Sequence, residues 1–277
     1  MTSRNHKAER RHRFNRQKRE ILALFAEYFC LRIADIISLR HEAPTDNNRR
    51  STHATLRLLM QMGLVYRLPY LDVYQEKGGL SHVYGLTDKG ITIAEIPLDT
   101  KFSKPFDEHS QRTLDHELEI SFFHIALKRF CATHDLFLYW RQADLKKTIH
   151  PDALFAITDP KKPDGKNTNW FFLEIERSKI GNVRDGEPSI IRKLGAYYDY
   201  YNSDECEKEW QDFKMFRVVV VQRTHTRRKN LLKVLEEKYK HRMFWLTTEA
   251  AHNYHMAGQI FATPKDYSAN SYSLLDI

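Results

Sequence analysis

Apolar residues recur at helical spacing from Arg19 onward. Ile21, Leu24, Phe25, Tyr28 and Phe29 form one stripe, which predicts an amphipathic helix. A short second helix fits residues 33–39. Pro44, Thr45, Asp46, Asn47 and Asn48 then supply a turn and helix-capping side chains. A third helix is predicted over 48–62, ending at Gly63. Leu56, Leu59, Met60 and Met62 would form its buried side, and Arg49, Arg50, His53 and Arg57 its polar side. Two strand-like segments, 64–68 and 82–87, flank the glycine-bearing stretch around Gly78 and Gly79. Residues 97–110, with Pro97 and Pro105, read as a linker.

A second set of elements follows. Residues 111–133 predict a long helix with Leu114, Leu118, Phe122, Ile125 and Leu127 along an apolar side. Strands are predicted at 136–142, 152–157, 170–177 and 216–222, with a further short one at 244–246. Helices are predicted at 189–201 and 227–240. The order is α-β-β-β-α-β-α-β, an α/β (α+β) pattern with a mixed central sheet flanked by helices. Asp159 and Asp164 fall in a turn-rich loop between two strands. The chain past Thr247 gives no clear pattern, and no internal repeat is present.

Two of these strands carry acids where a buried strand normally carries Val or Ile. Asp152 opens one, and Glu174 and Glu176 lie in the next. Side chains alternate along a strand, so Glu174 and Glu176 share one face, with Leu173, Ile175 and Arg177 on the other. A hairpin between the strands would bring all three carboxylates together. Like charges raise each other's pKa, and Mg²⁺ or Mn²⁺ would relieve the repulsion. Such a metal polarises a phosphate and activates an attacking water. Asp152, Glu174 and Glu176 are therefore the expected metal ligands.

The composition agrees with this chemistry. The 277 residues are enough for two domains, and 42% are hydrophobic. A formal charge of +8 favours a polyanionic partner. Residues 1–19 hold eight Lys and Arg. Residues 1–18 read as a solvated tail, as a basic arm on DNA, or as both. Cys30, Cys131 and Cys206 are scattered and read as buried thiols, not a zinc site or a disulfide framework. No apolar run approaches about 18 residues, and the first residues lack a signal-like apolar stretch. A cytoplasmic protein is expected.

The first set of elements resembles a winged helix-turn-helix over roughly residues 19–96, with Tyr84-Gly-Leu-Thr-Asp-Lys-Gly90 similar to the wing's return strand and closing helix. That resemblance implies a recognition helix in the major groove, with Arg49, Arg50, Thr52, His53 and Arg57 as contacts. Use of the same fold for protein contact is the alternative. Residues 111–277 resemble the PD-(D/E)xK nucleases. Pro151-Asp152 matches the first half of the motif and Glu174-Ile175-Glu176 the second, with Glu176 where the family has lysine. Lys193 on the following helix offers a migrated positive charge. Arg177 and Lys179 are also near in sequence.

The whole pattern, including Leu114-Asp-His-Glu-Leu, Leu173-Glu-Ile-Glu-Arg and the Lys193-Leu-x-x-Tyr197 spacing, resembles the plasmid replication-relaxation family and its MOB-C mobilisation relaxases. The resemblance implies metal-dependent nicking of one strand at a plasmid transfer origin. It also implies duplex DNA and accessory mobilisation or coupling proteins as partners. Tyr197, one turn from Lys193, reads as a DNA contact, a nucleophile or a packing residue. His116 and Glu119 share a helix face and read either as site residues or as surface and capping residues. His150 supports the acids or simply ends a strand. The stretch from Arg223 to Lys229 either tracks phosphates or starts a helix with a solvated basic face. Two other functions fit: a DNA-binding replication or copy-control factor with a degenerate nuclease fold, and a restriction or repair endonuclease.

Overall fold

The structure is a computed structural model, and it describes residues 16–41, 43–71, 80–95, 111–142, 149–177, 189–209, 215–264 and 272–276. The chain divides into two compact units, residues 1–121 and 122–277. The linker expected at 97–110, most of the basic arm, the wing tip and Lys179 lie outside the described residues.

In the first unit, α1 (Arg16–Glu27) leads into β1 (Cys30–Arg32), α2 (Ile33–Arg40) and α3 (Asp46–Gln61). Then come β2 (Val65–Leu71), β3 (Leu80–Leu86) and α4 (Asp88–Ile93). The strands form an antiparallel sheet in the order β1-β3-β2. Ile21, Leu22, Phe25, Leu31, Ile36, Leu56, Leu59, Leu64 and Val83 are all buried. Of the stripe read from the sequence, Ile21 and Phe25 lie on the inner side of α1 with Leu22, Leu24 is half-buried, and the buried Tyr28 and Phe29 follow the helix.

The Thr87-x-x-Gly90 spacing has a physical reason. Thr87 caps α4, its hydroxyl accepting from the Gly90 amide at 3.1 Å and donating to the Gly63 carbonyl at 2.7 Å. A Cβ at Gly90 would sit 2.0 Å from the Leu64 carbonyl oxygen, so only glycine lets the two backbones meet. Gly63 itself ends α3 with φ near +68°.

The long helix α5 (Gln111–Thr133) spans the division between the units. The second unit continues with β4 (Phe137–Gln142), β5 (Ala153–Thr158) and β6 (Thr168–Glu176), then α6 (Ser189–Tyr201) and α7 (Glu205–Glu209). It ends with β7 (Phe216–Gln222), α8 (His225–Lys238), β8 (Phe244–Thr248), α9 (Glu249–His255) and a 3₁₀ turn, Leu274–Asp276. The strands make one mixed sheet in the order β4-β5-β6-β7-β8. β5 runs antiparallel to both β4 and β6, and β6, β7 and β8 run parallel to one another. The continuous Val218–Val221 run reads as it should for a parallel strand buried on both faces.

Register fixes which residues share a face. Leu154, Phe172, Val218, Val220, Phe244 and Leu246 pack with Ile191, Leu194 and Tyr197 of α6 and with Leu231, Leu232 and Leu235 of α8. Glu174 is in register with Val220, and Glu176 with Gln222. Both acids therefore point to the face that α6 and α8 cover. The three cysteines are buried and free, and among the described residues no helix is long and apolar enough to cross a membrane.

Candidate functional site

The site is assembled where β5 stops and β6 continues. Asp152 precedes β5, and its amide donates to the Leu173 carbonyl at 2.9 Å. Its carboxylate Oδ2 accepts from the Ile175 amide at 2.7 Å. The side chain thus extends the pairing of β6 by one hydrogen bond beyond Ala153, the first residue of β5. This contact holds Asp152 alongside the Glu174-Ile175-Glu176 segment. Glu174 is 3% exposed, and both of its oxygens have partners from α6. Lys193 Nζ donates to Oε2 at 2.5 Å, and the Tyr197 hydroxyl donates to Oε1 at 2.5 Å. Lys193 and Tyr197 are one helical turn apart, so both reach the same carboxyl.

Burial pushes the Glu174 carboxyl up, to about 8, and the charge of Asp152 adds to it, while Lys193 and Tyr197 pull it down. Burial also opposes charge on Lys193, but Glu174, Asp152 and Glu176 together outweigh it and raise the amine. A carboxyl at about 8 is mostly neutral at pH 7, yet the lysine is raised by that same carboxyl being charged. The hydrogen bonds decide for the ionised form, because each Glu174 oxygen accepts from a separate donor, and a carboxylate is the species that accepts at both. Tyr197 is fully buried, and its phenol is raised by burial and by Glu174. That placement gives Tyr197 the work of holding Glu174. It is not placed as an exposed nucleophile. Tyr200 is packed in the same cluster, Tyr198 and Tyr201 lie against it, and Tyr200 donates to Glu209 at 2.6 Å.

The donor chemistry of Asp152, Glu174 and Glu176 suits a hard divalent cation, but their arrangement does not. Both Glu174 oxygens and one Asp152 oxygen already accept hydrogen bonds from protein. Among the described residues no three His, Cys, Asp or Glu side chains are grouped to hold an ion. As arranged, the acids do not form a three-carboxylate cation site.

Gln222 went unrecognised in the sequence, where it merely ends a β-branched run. It is 0% exposed and stands in register with Glu176 on the α6–α8 face. Among the described residues neither its amide nitrogen nor its amide oxygen has a partner. The signal that finds it is the parallel register of β6 and β7, which only the fold supplies.

On the opposite face, the Arg177 guanidinium lies 3.3 Å from Glu249 Oε1, as alternation along β6 anticipates. Glu249 is 1% exposed, and burial pushes its carboxyl up to about 7. Among the described residues neither Glu249 oxygen has an aligned hydrogen bond, so the Arg177 contact is an ion contact.

In the first unit, Arg49, Arg50, His53 and Arg57 are exposed along one side of α3. Thr52 is not among them. It is fully buried, and its hydroxyl accepts from Arg40 Nη1 at 2.9 Å. Its helical position, four residues before Leu56, puts it on the inner face. Thr52 is therefore corrected from a DNA contact to a buried anchor for Arg40. His116, also in the first unit, is half-buried, with Nδ1 3.5 Å from a Glu117 oxygen. Glu119 is buried. His150 is exposed. Asp159 accepts from the Lys161 amide at 2.9 Å and Asp164 from Asn167 at 3.3 Å, so both serve their turn. Arg223 is exposed just past β7.

Comparison with protein-family models, with curated proteins and with solved structures finds no match for this chain.

Proposed function

We propose that this chain is a DNA-nicking enzyme of the plasmid replication-relaxation type, a mobilisation relaxase. In this reading residues 19–96 act as a winged helix that binds duplex DNA, and residues 111–277 act as a nuclease-like domain that cuts one strand at a transfer origin. The observation that carries the proposal is Lys193 on Glu174. A motif whose lysine position holds Glu176 would need its positive charge from elsewhere, and α6 brings one to the acid pair. The three helices and small sheet of the first unit, with Arg49, Arg50, His53 and Arg57 exposed on α3, support the DNA-binding half.

A second reading has one observation in its favour. Glu174 is saturated by Lys193 and Tyr197, as a structural ion pair would be. A DNA-binding replication or copy-control factor with a non-catalytic nuclease fold would look like this.

The test is a nicking assay on supercoiled plasmid carrying a transfer origin, run with Mg²⁺, with Mn²⁺ and with chelator. The relaxase reading expects open circles from the wild type and none from Asp152→Asn or Glu174→Gln. Origin binding without cutting in any condition rejects it in favour of the copy-control factor. Linear product points instead to an endonuclease. For the binding half, Arg50→Ala and Arg57→Ala should each reduce the slope of log affinity against log salt by about one.

A further inference from the structure

Gln222 is the one residue of β7 that does not suit its surroundings. The four residues before it are valines, and each is fully buried. A leucine or methionine would fit the end of such a strand. Instead the position holds an amide at 0% exposure with no partner for its donor or its acceptor among the described residues. Leaving such a group unsatisfied costs about 1–3 kcal/mol, so the position is unfavourable for folding alone. Thr248, in register on the other side, makes no hydrogen bond to it; its hydroxyl caps α9 by accepting from the Ala251 amide at 3.3 Å.

The neighbour on the remaining side is Glu176. Gln222 therefore faces the α6–α8 side of the sheet beside the acid that replaces the motif lysine. The kind of ligand follows from counting hydrogen bonds. A cation would use only the amide oxygen, and a phosphate oxygen would use only the amide nitrogen. A water molecule accepts from one and donates to the other, and has a proton left for a carboxylate. We propose that Gln222, together with Glu176, positions the water that attacks the scissile phosphodiester. The inference rests on the nicking reading above. In the step, the water oxygen bonds to phosphorus and the phosphorus–sugar oxygen bond breaks. One water proton passes to Glu176, and the departing alkoxide takes a proton from solvent.

The test compares wild type, Gln222→Leu and Gln222→Glu in nicking of supercoiled origin plasmid, with kcat, KM and Tm measured for each. Gln222→Leu should keep KM, match or exceed the wild-type Tm, and lose about 100-fold in kcat. Gln222→Glu keeps an acceptor for the water and should recover part of that loss. Wild-type kcat in Gln222→Leu overturns the inference while leaving the nicking reading intact. So does a joint fall of Tm and kcat that Gln222→Glu fails to rescue, since that marks a structural residue. No cutting by the wild type overturns the nicking reading, and the inference with it.

Discussion

Glu174 and Glu249 are 3% and 1% exposed, and both stand near the end of the sheet where β6, β7 and β8 finish. Glu174 faces α6 and has a donor on each oxygen, one of them a cation. Glu249 opens α9 and, among the described residues, has the off-axis contact with Arg177 and no aligned hydrogen bond. Burial raises both carboxyls, to about 8 and about 7. The difference between them is the donor set. A buried charge is tolerated when its partners are aligned, and it costs stability when they are not. Glu174 can therefore stay ionised in the interior. Glu249 is better off neutral.

The largest effect expected from this contrast is at Glu249. Its carboxyl is raised in the fold from an ordinary value of 4.5 to about 7, so the folded state holds the proton more tightly than the unfolded chain. The resulting stability is fully present below pH 4.5 and is lost as pH rises towards 7. Glu249→Gln should remove that loss and raise stability at pH 8 by about 2–3 kcal/mol, less whatever the Arg177 contact contributes. Thermal melts between pH 4 and 8 read this directly. A flat wild-type profile across that window would erase the contrast. Next comes Lys193→Met, which takes the cation from Glu174. Because Lys193 is 37% exposed, solvent screens the pair, and a loss of about 2 kcal/mol is expected. Denaturant unfolding would measure it, and a gain would mean that Glu174 is no better served than Glu249.

Tyr197→Phe leaves one Glu174 oxygen without its donor and should cost about 1.5 kcal/mol by the same measurement. It should also push the Glu174 carboxyl further up, visible as a protonated-acid infrared band persisting to higher pH. Smallest is the coupling between the two donors. The double variant should lose about 0.5–1 kcal/mol less than the two single losses added, because either change alone already favours the neutral acid. Strict additivity would show that Lys193 and Tyr197 act on Glu174 independently.

The elements that position these groups were readable because each is long and strongly patterned. The α6 and β7 boundaries expected at 189–201 and 216–222 match Ser189–Tyr201 and Phe216–Gln222. Alternation along β6 placed Glu174 and Glu176 together and sent Arg177 across the sheet. Several features were not readable for definite reasons. β1 has three residues, too few to show a period. α7 is a five-residue turn, and α9 begins directly from β8, with no gap to announce it. Gln222 and Glu249 become informative only through contacts with β6 across more than forty residues of chain. Thr52 was misplaced because a threonine among arginines looks like a groove contact, although its spacing to Leu56 and Leu59 already puts it inside.

Asp152 has a consequence for how such chains change over time. Its carboxylate accepts from the Ile175 amide just beyond Ala153, the residue at which the pairing of β5 with β6 begins. A descendant would be penalised for losing this acceptor whatever the chain does, because the Ile175 amide, beside Glu174, would lose its partner. Selection for folding alone can thus preserve Asp152, with or without any chemistry at that position. Asparagine, which keeps an acceptor oxygen without the charge, is the substitution by which drift would reveal itself.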